Sequence, residues 1–490
     1  MGAGAIFDST CQIHAQNPLE TFFLKEKNRK SSKFLQEAKK KLAKQTGQEY
    51  NISCEIEGGG SPMIRFEDLN RQEQQEKLAQ LRKDYQQFQA KGLHLDMSRG
   101  KPGADQLDLT MPILDVLNSQ SVMHAEKGED LRNYGVLEGI HECRKLFGNL
   151  FGMNHETEVF IGGNSSLSLM YDCIARAMSF GFYNSPRPWC KEEKIKWLCP
   201  VPGYDRHFAI TELFGFEMIN IPMNQDGPDM DMVKQLCEND PAVKGIWCVP
   251  MYSNPTGITY SDEVVRKFAA LNPAAPDFKI MWDNAYCIHH LSDHPDHLLN
   301  LMDELRKTGH EDMMITFAST SKISFPGGGV AAMACSKANL DFIKKQISVQ
   351  TIGYDKINQM RHVMFYKDLA GLQAHMEKHR AILEPKFQMV LSKLEEHLGG
   401  LEVASWNKPN GGYFVSVDVM EGCAKRVVAL CKEAGVVLTG AGATYPYGKD
   451  PKDTNIRLAP TMPPVSELEQ AMGLFCLCVQ IAALEKLTEN

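Results

Sequence analysis

The chain has 490 residues, 43% of them apolar and 23% charged, with a formal net charge of −8. That is enough length for two or three domains and a large core, with an ordinary globular composition. The modest acidity favours neither nucleic acid nor an anionic membrane surface, and no apolar run is expected to reach the ~20 residues that span a bilayer.

Fourteen cysteines are scattered, with no paired Cys-x-x-Cys set, which predicts reduced thiols in a cytoplasmic protein. Cys476 and Cys478 fall in an apolar helical pattern and read as core. His289, His290 and His294 lack partners at metal-ligand spacing, so no metal site is expected.

Residues 1–62 differ from the rest. The start, Met1 to Phe7, lacks the basic opening of a signal peptide. Ile6 stands where a myristoylation pattern needs Ser or Thr. Lys25 to Lys44 is strongly basic and predicts a mobile extension, with a basic amphipathic helix or a localisation signal as alternatives. Gly58 to Pro62 reads as a linker, and Met63 after it as an alternative start.

From Asp68 to Gly92 the apolar spacing predicts a helix, with Asp68 as its N-cap. Arg99-Gly100-Lys101-Pro102 makes an extended turn, and a second helix runs from Gly139 through Phe151. Val159 to Ile161 is a strand. It ends in Gly162-Gly163-Asn164-Ser165-Ser166, and a helix follows from Leu167 to Phe180. Strand, glycine turn, then helix N-terminus makes Gly163, Asn164 and Ser165 a phosphate site by geometry. Lys196–Cys199 and Phe216–Pro222 are further strands. This alternation over 130–335 predicts a mostly parallel sheet with helices on both faces and ligand groups at the strand C-termini. A long helix over Glu377–Leu398 then leads into a smaller α+β part with strands at 411–417, 436–439 and 455–459.

Three strand ends carry the chemistry. Met313 to Ala318 is a buried strand followed by Ser319-Thr320-Ser321-Lys322 and then Gly327-Gly328-Gly329. A partly desolvated lysine has a lowered pKa and can form a Schiff base. The hydroxyls of Ser319 and Ser321 and nearby backbone amides can hold a phosphate. Lysine and phosphate cradle together point to pyridoxal 5′-phosphate. Asp283, after the strand-like Lys279-Ile280-Met281, can keep that cofactor's ring nitrogen protonated, so that the ring accepts electrons. Asn254, in Asn254-Pro255-Thr256-Gly257, and Tyr286 can hydrogen-bond the ring's phenolic oxygen. Near the C-terminus Arg457 lies among apolar residues of a strand and needs an anion, and its planar fork suits a carboxylate.

From about residue 64 onward the sequence resembles the fold type I, class I/II pyridoxal-phosphate aminotransferases. In detail it is similar to the bacterial-type aspartate aminotransferase subgroup, whose domain is related to that of the MocR-type transcriptional regulators. The resemblance rests on Asp96 to Pro102, Asn133 to Gly139, Asn254 to Gly257, Ser319 to Gly329 and Asn455 to Pro460. It implies an α/β fold with a seven-stranded, mostly parallel sheet in a large domain at 111–370. A smaller α+β domain would occupy 371–490, joined by 63–110. It implies amino-group transfer from an L-amino acid, aspartate above all, to a 2-oxo acid such as 2-oxoglutarate. Lys322 and Asp283 would be catalytic, with Tyr204 stacked on the ring and His207 behind Asp283. Tyr134 would reach the partner's cofactor phosphate in a homodimer. Gly100 would border the substrate carboxylate, Arg457 would hold its α-carboxylate, and Arg99 is the candidate for the side-chain carboxylate.

One departure stands out. The family usually has an arginine about eight residues after the lysine to bind the phosphate, and here Gly327 to Val330 occupy that stretch. Arg361 and Lys356 are the candidate replacements. Transamination of alanine or aromatic substrates, β-elimination, and a non-catalytic cofactor-binding regulator are the competing functions. The last would need an N-terminal DNA-binding domain, and residues 1–62 lack its pattern of amphipathic helices.

Overall fold

The computed structural model describes residues 64–489. The basic extension and linker expected over 1–62 lie outside the described residues. Arg65–Asn490 forms one compact unit. In chain order the strands are β1 (Leu95–Asp96), β2 (Val159–Ile161), β3 (Lys196–Val201), β4 (Glu217–Asn224), β5 (Gly227–Pro228), β6 (Val243–Cys248), β7 (Lys279–Asp283), β8 (Met314–Ser319), β9 (Ala331–Cys335), β10 (Ala404–Trp406), β11 (Val415–Val419), β12 (Val436–Val437) and β13 (Asn455–Leu458).

The large sheet runs β2-β9-β8-β7-β6-β3-β4-β5. Five neighbours, β4, β3, β6, β7 and β8, are parallel, and β9 is antiparallel to both β8 and β2. The sheet has eight strands where the resemblance implies seven. The eighth, β5, is a two-residue edge strand folded back on β4. Central strands are buried along their whole length, as a sheet covered on both faces requires. Their side chains divide between two cores at the two-residue period. Ile246, Ile280 and Trp282 join one, whereas Trp247, Met281 and Phe317 join the other with the helix Ser166–Phe180. Asp283 shares the parity of Met281, so it emerges on that helix's side of the sheet.

A third core lies under the antiparallel sheet β10-β11-β13 and the helices Arg71–Ala90, Leu369–Leu398, Ala424–Glu433 and Val465–Glu489. Val465–Glu489 is long and apolar enough, by length and composition alone, to cross a membrane, contrary to the expectation of no such run. Most of it is buried, packed on Arg71–Ala90 and Leu369–Leu398. Cys476 and Cys478 are buried there, as expected.

Two helix starts differ from the sequence expectation. Asn70, not Asp68, caps the first long helix: Glu73 N donates to Asn70 Oδ1 at 3.0 Å, and Asn70 N donates to Glu73 Oε2 at 2.8 Å. That reciprocal box satisfies two amides that Asp68 could not reach, and Asp68 pairs with Arg65 instead. The helix expected from Glu377 begins at Leu369, capped by Asp368, and runs through Pro385.

Candidate active site

The cleft forms where the parallel strands end. β8 stops at Ser319, and the following turn carries Lys322. β7 stops at Asp283, and the loop after β6 carries Asn254. These residues, with Ser165, Tyr204, Tyr286, Ser319 and Ser321, line a cleft of about 250 Å³. Ser166, Leu167 and Met170 of the adjoining helix complete one wall. Gly163 and Asn164 form the turn that delivers this helix start. The Gly163 carbonyl accepts from Ala331 N at 2.7 Å, and the Asn164 carbonyl accepts from Ser321 Oγ at 3.0 Å. Ser319 Oγ in turn donates to Ser321 Oγ at 3.1 Å.

Asp283 is 3% exposed. His207 Nε2 donates to its Oδ2 at 2.9 Å, and the His207 ring stacks on Trp247 at 4.6 Å. The other carboxylate oxygen, Oδ1, is buried without a partner among the described residues. A buried carboxylate oxygen needs a donor, and a protonated ring nitrogen supplies one. Burial pushes the Lys322 amine below the usual lysine range, against the opposing pull of Asp283. Its Nζ stands 4.9 Å from the centre of the Tyr286 ring. Burial also pushes the Tyr286 phenol well up, which keeps it a neutral hydrogen-bond donor. Amine, orphaned carboxylate, neutral phenol and the start of a fifteen-residue helix fit pyridoxal phosphate.

The turn bearing Lys322 is held from beneath by a buried polar chain that sequence reasoning missed. Tyr413 Oη donates to the Lys322 carbonyl at 3.2 Å. Gln106 Nε2 donates to Tyr413 Oη at 3.0 Å and to His379 Nδ1 at 3.1 Å. Burial lowers the His379 pKa to about 4, so its ring is neutral and accepts this bond. Gln106 and Tyr413 are both fully buried and lie 307 residues apart, so no local pattern joins them.

Arg457 is 6% exposed and already has an anion. Its Nη1 donates to Asp205 Oδ1 at 2.8 Å and to Asn254 Oδ1 at 3.2 Å. Nη2 lies 3.4 Å from Thr439 Oγ1, Nε has no partner among the described residues, and the Phe414 ring lies 4.9 Å from the guanidinium carbon. Gly100 packs against this ring. A Cβ there would meet Phe414 Cζ at 2.5 Å. So Gly100 is needed for the ring that underlies Arg457. Arg99 is exposed and does not line the cleft.

Two candidate phosphate cations lie elsewhere. Lys356 donates to the carbonyls of Asn133 and Gly135, and neither it nor Arg361 lines the cleft. Among the described residues, Lys322 is the only cation in the cleft wall. Tyr134 is 85% exposed and borders a separate hollow with Arg132, Gly353 and Lys356. Away from the cleft, His141, His155 and Glu156 bring ligand atoms within 4.8 Å of one another. Lys127 already holds that carboxylate at 2.9 Å, which opposes a metal ion there.

Together the open parallel sheet and this cleft define a pyridoxal-phosphate enzyme of fold type I. The model of the aspartate amino-transferase family matches residues 69–490. The chain belongs to that family. It is 45% identical to an aspartate aminotransferase of Corynebacterium glutamicum, over 83% of this chain and 93% of that protein. A putative aminotransferase of Mycolicibacterium smegmatis is 44% identical over 86% and 99% of the two chains. The crystal structure of an aspartate transaminase from Corynebacterium glutamicum superimposes with a TM-score of 0.84 at 43% identity, covering 86% of this chain and 99% of that one. The protein is a pyridoxal-phosphate-dependent aminotransferase acting on an amino acid and a 2-oxo acid.

Proposed function

We propose that this enzyme transfers the amino group of L-aspartate to 2-oxoglutarate. The carrying observation is Arg457, a buried guanidinium that shares Asn254 with the cleft of Lys322 and Asp283. The names of the Corynebacterium relatives support aspartate as the donor. Pyridoxal phosphate, when bound, supplies an aldehyde that captures amines and a ring that stabilises negative charge at the adjoining carbon. Lys322 would hold the aldehyde between turnovers, and its amine, whose pKa burial lowers, would serve as the base that takes the proton from the substrate Cα. Asp283, oriented by His207, holds the proton on the ring nitrogen. Asn254 and Tyr286 steady the ring oxygen, and Tyr204 covers the ring face. Ser165, Ser319, Ser321 and the turn at Gly163 and Asn164 cradle the phosphate.

Arg457 holds the α-carboxylate that every substrate carries, so a dicarboxylate preference needs a second cation. Arg99 is our candidate, because it adjoins Gly100, which packs against the Phe414 ring beside Arg457. The enzyme acts as a homodimer in the cytoplasm. The exposed Tyr134 supports the first part, and twelve free cysteines among the described residues support the second. We assign 111–370 to a large domain and 371–490 to a small one joined by 63–110. In support, β1 pairs with β12, and Arg71–Ala90 packs on Val465–Glu489.

The test is kcat/KM for aspartate, glutamate, alanine and phenylalanine. Aspartate should rank first, and a higher value for alanine or phenylalanine rejects the assignment. Neutralising Arg99 should hurt the two acidic substrates far more than alanine, and an equal loss on all of them removes Arg99 from this role.

A further inference from the structure

We propose that Asp205 is a built-in counter-ion for Arg457 that competes with the substrate carboxylate and so sets how tightly carboxylates bind. This rests on the reading of Arg457 as the α-carboxylate holder. The Asp205 Oδ1 to Arg457 Nη1 distance is 2.8 Å, and it joins residues 252 positions apart in the chain. The two partners differ in exposure: the Arg457 side chain is 6% exposed and that of Asp205 is 34%. A buried guanidinium with no anion is strongly unfavourable, so an internal carboxylate stabilises the empty site. Asp205 keeps access to water, so it can give up the bond without itself becoming a buried bare charge. It is also the first residue of the helix Asp205–Leu213, where the backbone amides favour a carboxylate.

The consequence is electrostatic. An incoming carboxylate on Arg457 lies within a few ångströms of the Asp205 carboxylate, and like charges that close repel. Either Asp205 turns away or the two anions share one cation. Both routes weaken the bound state relative to an Arg457 held only by neutral groups. Asn254 is such a group, with its Oδ1 at 3.2 Å from Nη1, so the guanidinium keeps an anchor when Asp205 turns away. The pair therefore moves affinity toward higher substrate concentration while keeping Arg457 charged and oriented.

The experiment titrates cofactor-loaded enzyme with maleate, an unreactive dicarboxylate, by calorimetry, for wild type, Asp205→Asn, Arg457→Ala and the double variant. Asp205→Asn should tighten maleate by roughly two- to fivefold, and lower KM for aspartate and 2-oxoglutarate by a similar factor. In the Arg457→Ala background the same change should have no such effect. Unchanged or weaker maleate binding in Asp205→Asn, with Arg457→Ala still losing binding, overturns the counter-ion role and leaves the Arg457 reading intact. Maleate binding that survives Arg457→Ala overturns the underlying reading instead. Tightening that persists in the double variant shows that Asp205 acts on the ligand without Arg457, and also overturns the proposal.

Discussion

His207 and Asp283 are joined by a 2.9 Å hydrogen bond that occupies one carboxylate oxygen and leaves the other, Oδ1, buried and unpaired. The arrangement fixes the carboxylate so that one oxygen is left for a donor that the described residues do not provide. With Asp283→Ala, cofactor should still be captured through Lys322 and the phosphate cradle. Turnover should fall by orders of magnitude, because the ring loses the proton that lets it accept electrons. Near wild-type kcat in a fully loaded Asp283→Ala enzyme would falsify the role. His207→Ala should cost less, since it removes orientation and not the charge.

Lys322 is expected to be the covalent anchor. Borohydride reduction of loaded enzyme, followed by peptide mapping, should place the pyridoxyl group on Lys322, and label on another lysine refutes this. Its lowered pKa has a readable sign. A depressed lysine pKa means the amine is uncharged at a lower pH than free lysine allows. The rate at which cofactor-free enzyme captures pyridoxal phosphate should therefore rise to its plateau below the usual lysine range. A midpoint at the ordinary lysine value would contradict the desolvated setting.

The Tyr413 hydroxyl is the only part of that side chain asked to position Lys322. Tyr413→Phe keeps the ring and removes the donor to the Lys322 carbonyl. A buried carbonyl without its donor costs about 1–3 kcal/mol. We expect a lower kcat with substrate KM little changed, and a shifted pH midpoint for cofactor capture. Gln106→Leu should give the same pattern, and the double variant should be less than additive because both act through one chain of bonds. Additive effects would show two independent roles.

What the sequence disclosed, and what it hid, divides along the range of the interactions. Lys322, Asp283 and Asn254 each follow a hydrophobic run, so strand periodicity located them and the open-sheet rule put them at one edge. Ser165 was legible because strand, glycine turn and helix start are contiguous. Asp205 lies between two residues that the resemblance marked, Tyr204 and His207, yet its bond to Arg457 spans the two halves of the chain and leaves no local trace. Gln106 carries no sequence signal of its own, and its bonds to Tyr413, His379 and Gly103 N emerge only from the fold. Lys356 was a reasonable phosphate cation on charge alone. It is committed to the Asn133 and Gly135 carbonyls, which a local pattern cannot register.

Tyr134 leads to a prediction about assembly. An 85% exposed tyrosine beside a hollow formed by Arg132, Gly353 and Lys356 suits contact with a second copy. Sedimentation at micromolar concentration should give twice the chain mass. Tyr134→Phe should weaken cofactor retention without changing that mass. A fully active monomer would reject the dimer, and unaltered retention would remove Tyr134 from the phosphate.

Gly100→Ala tests how the substrate carboxylate site is built from behind. The backbone at Gly100 is not left-handed, so added strain comes only from contact: the new Cβ would meet Phe414 Cζ at 2.5 Å and Cε1 at 2.9 Å. Two effects oppose each other. Replacing glycine by alanine stabilises by about 0.4–1 kcal/mol through the unfolded chain. Overpacking a filled site costs about 1–3 kcal/mol, so the net change should be a modest loss of thermal stability. The functional effect should be larger than that loss suggests. Phe414 must move, and it lies 4.9 Å from the Arg457 guanidinium carbon, so the fork that receives the carboxylate tilts with it. KM for aspartate, glutamate, alanine and 2-oxoglutarate should all rise by a similar factor, with kcat changed less. Phe414→Leu gives the room back at the expense of the aromatic face under the cation. Adding Gly100→Ala to Phe414→Leu should therefore cost less than adding it to wild type. If the penalty is the same in both backgrounds, Gly100 does not act through Phe414, and its glycine is required for direct approach of the substrate instead.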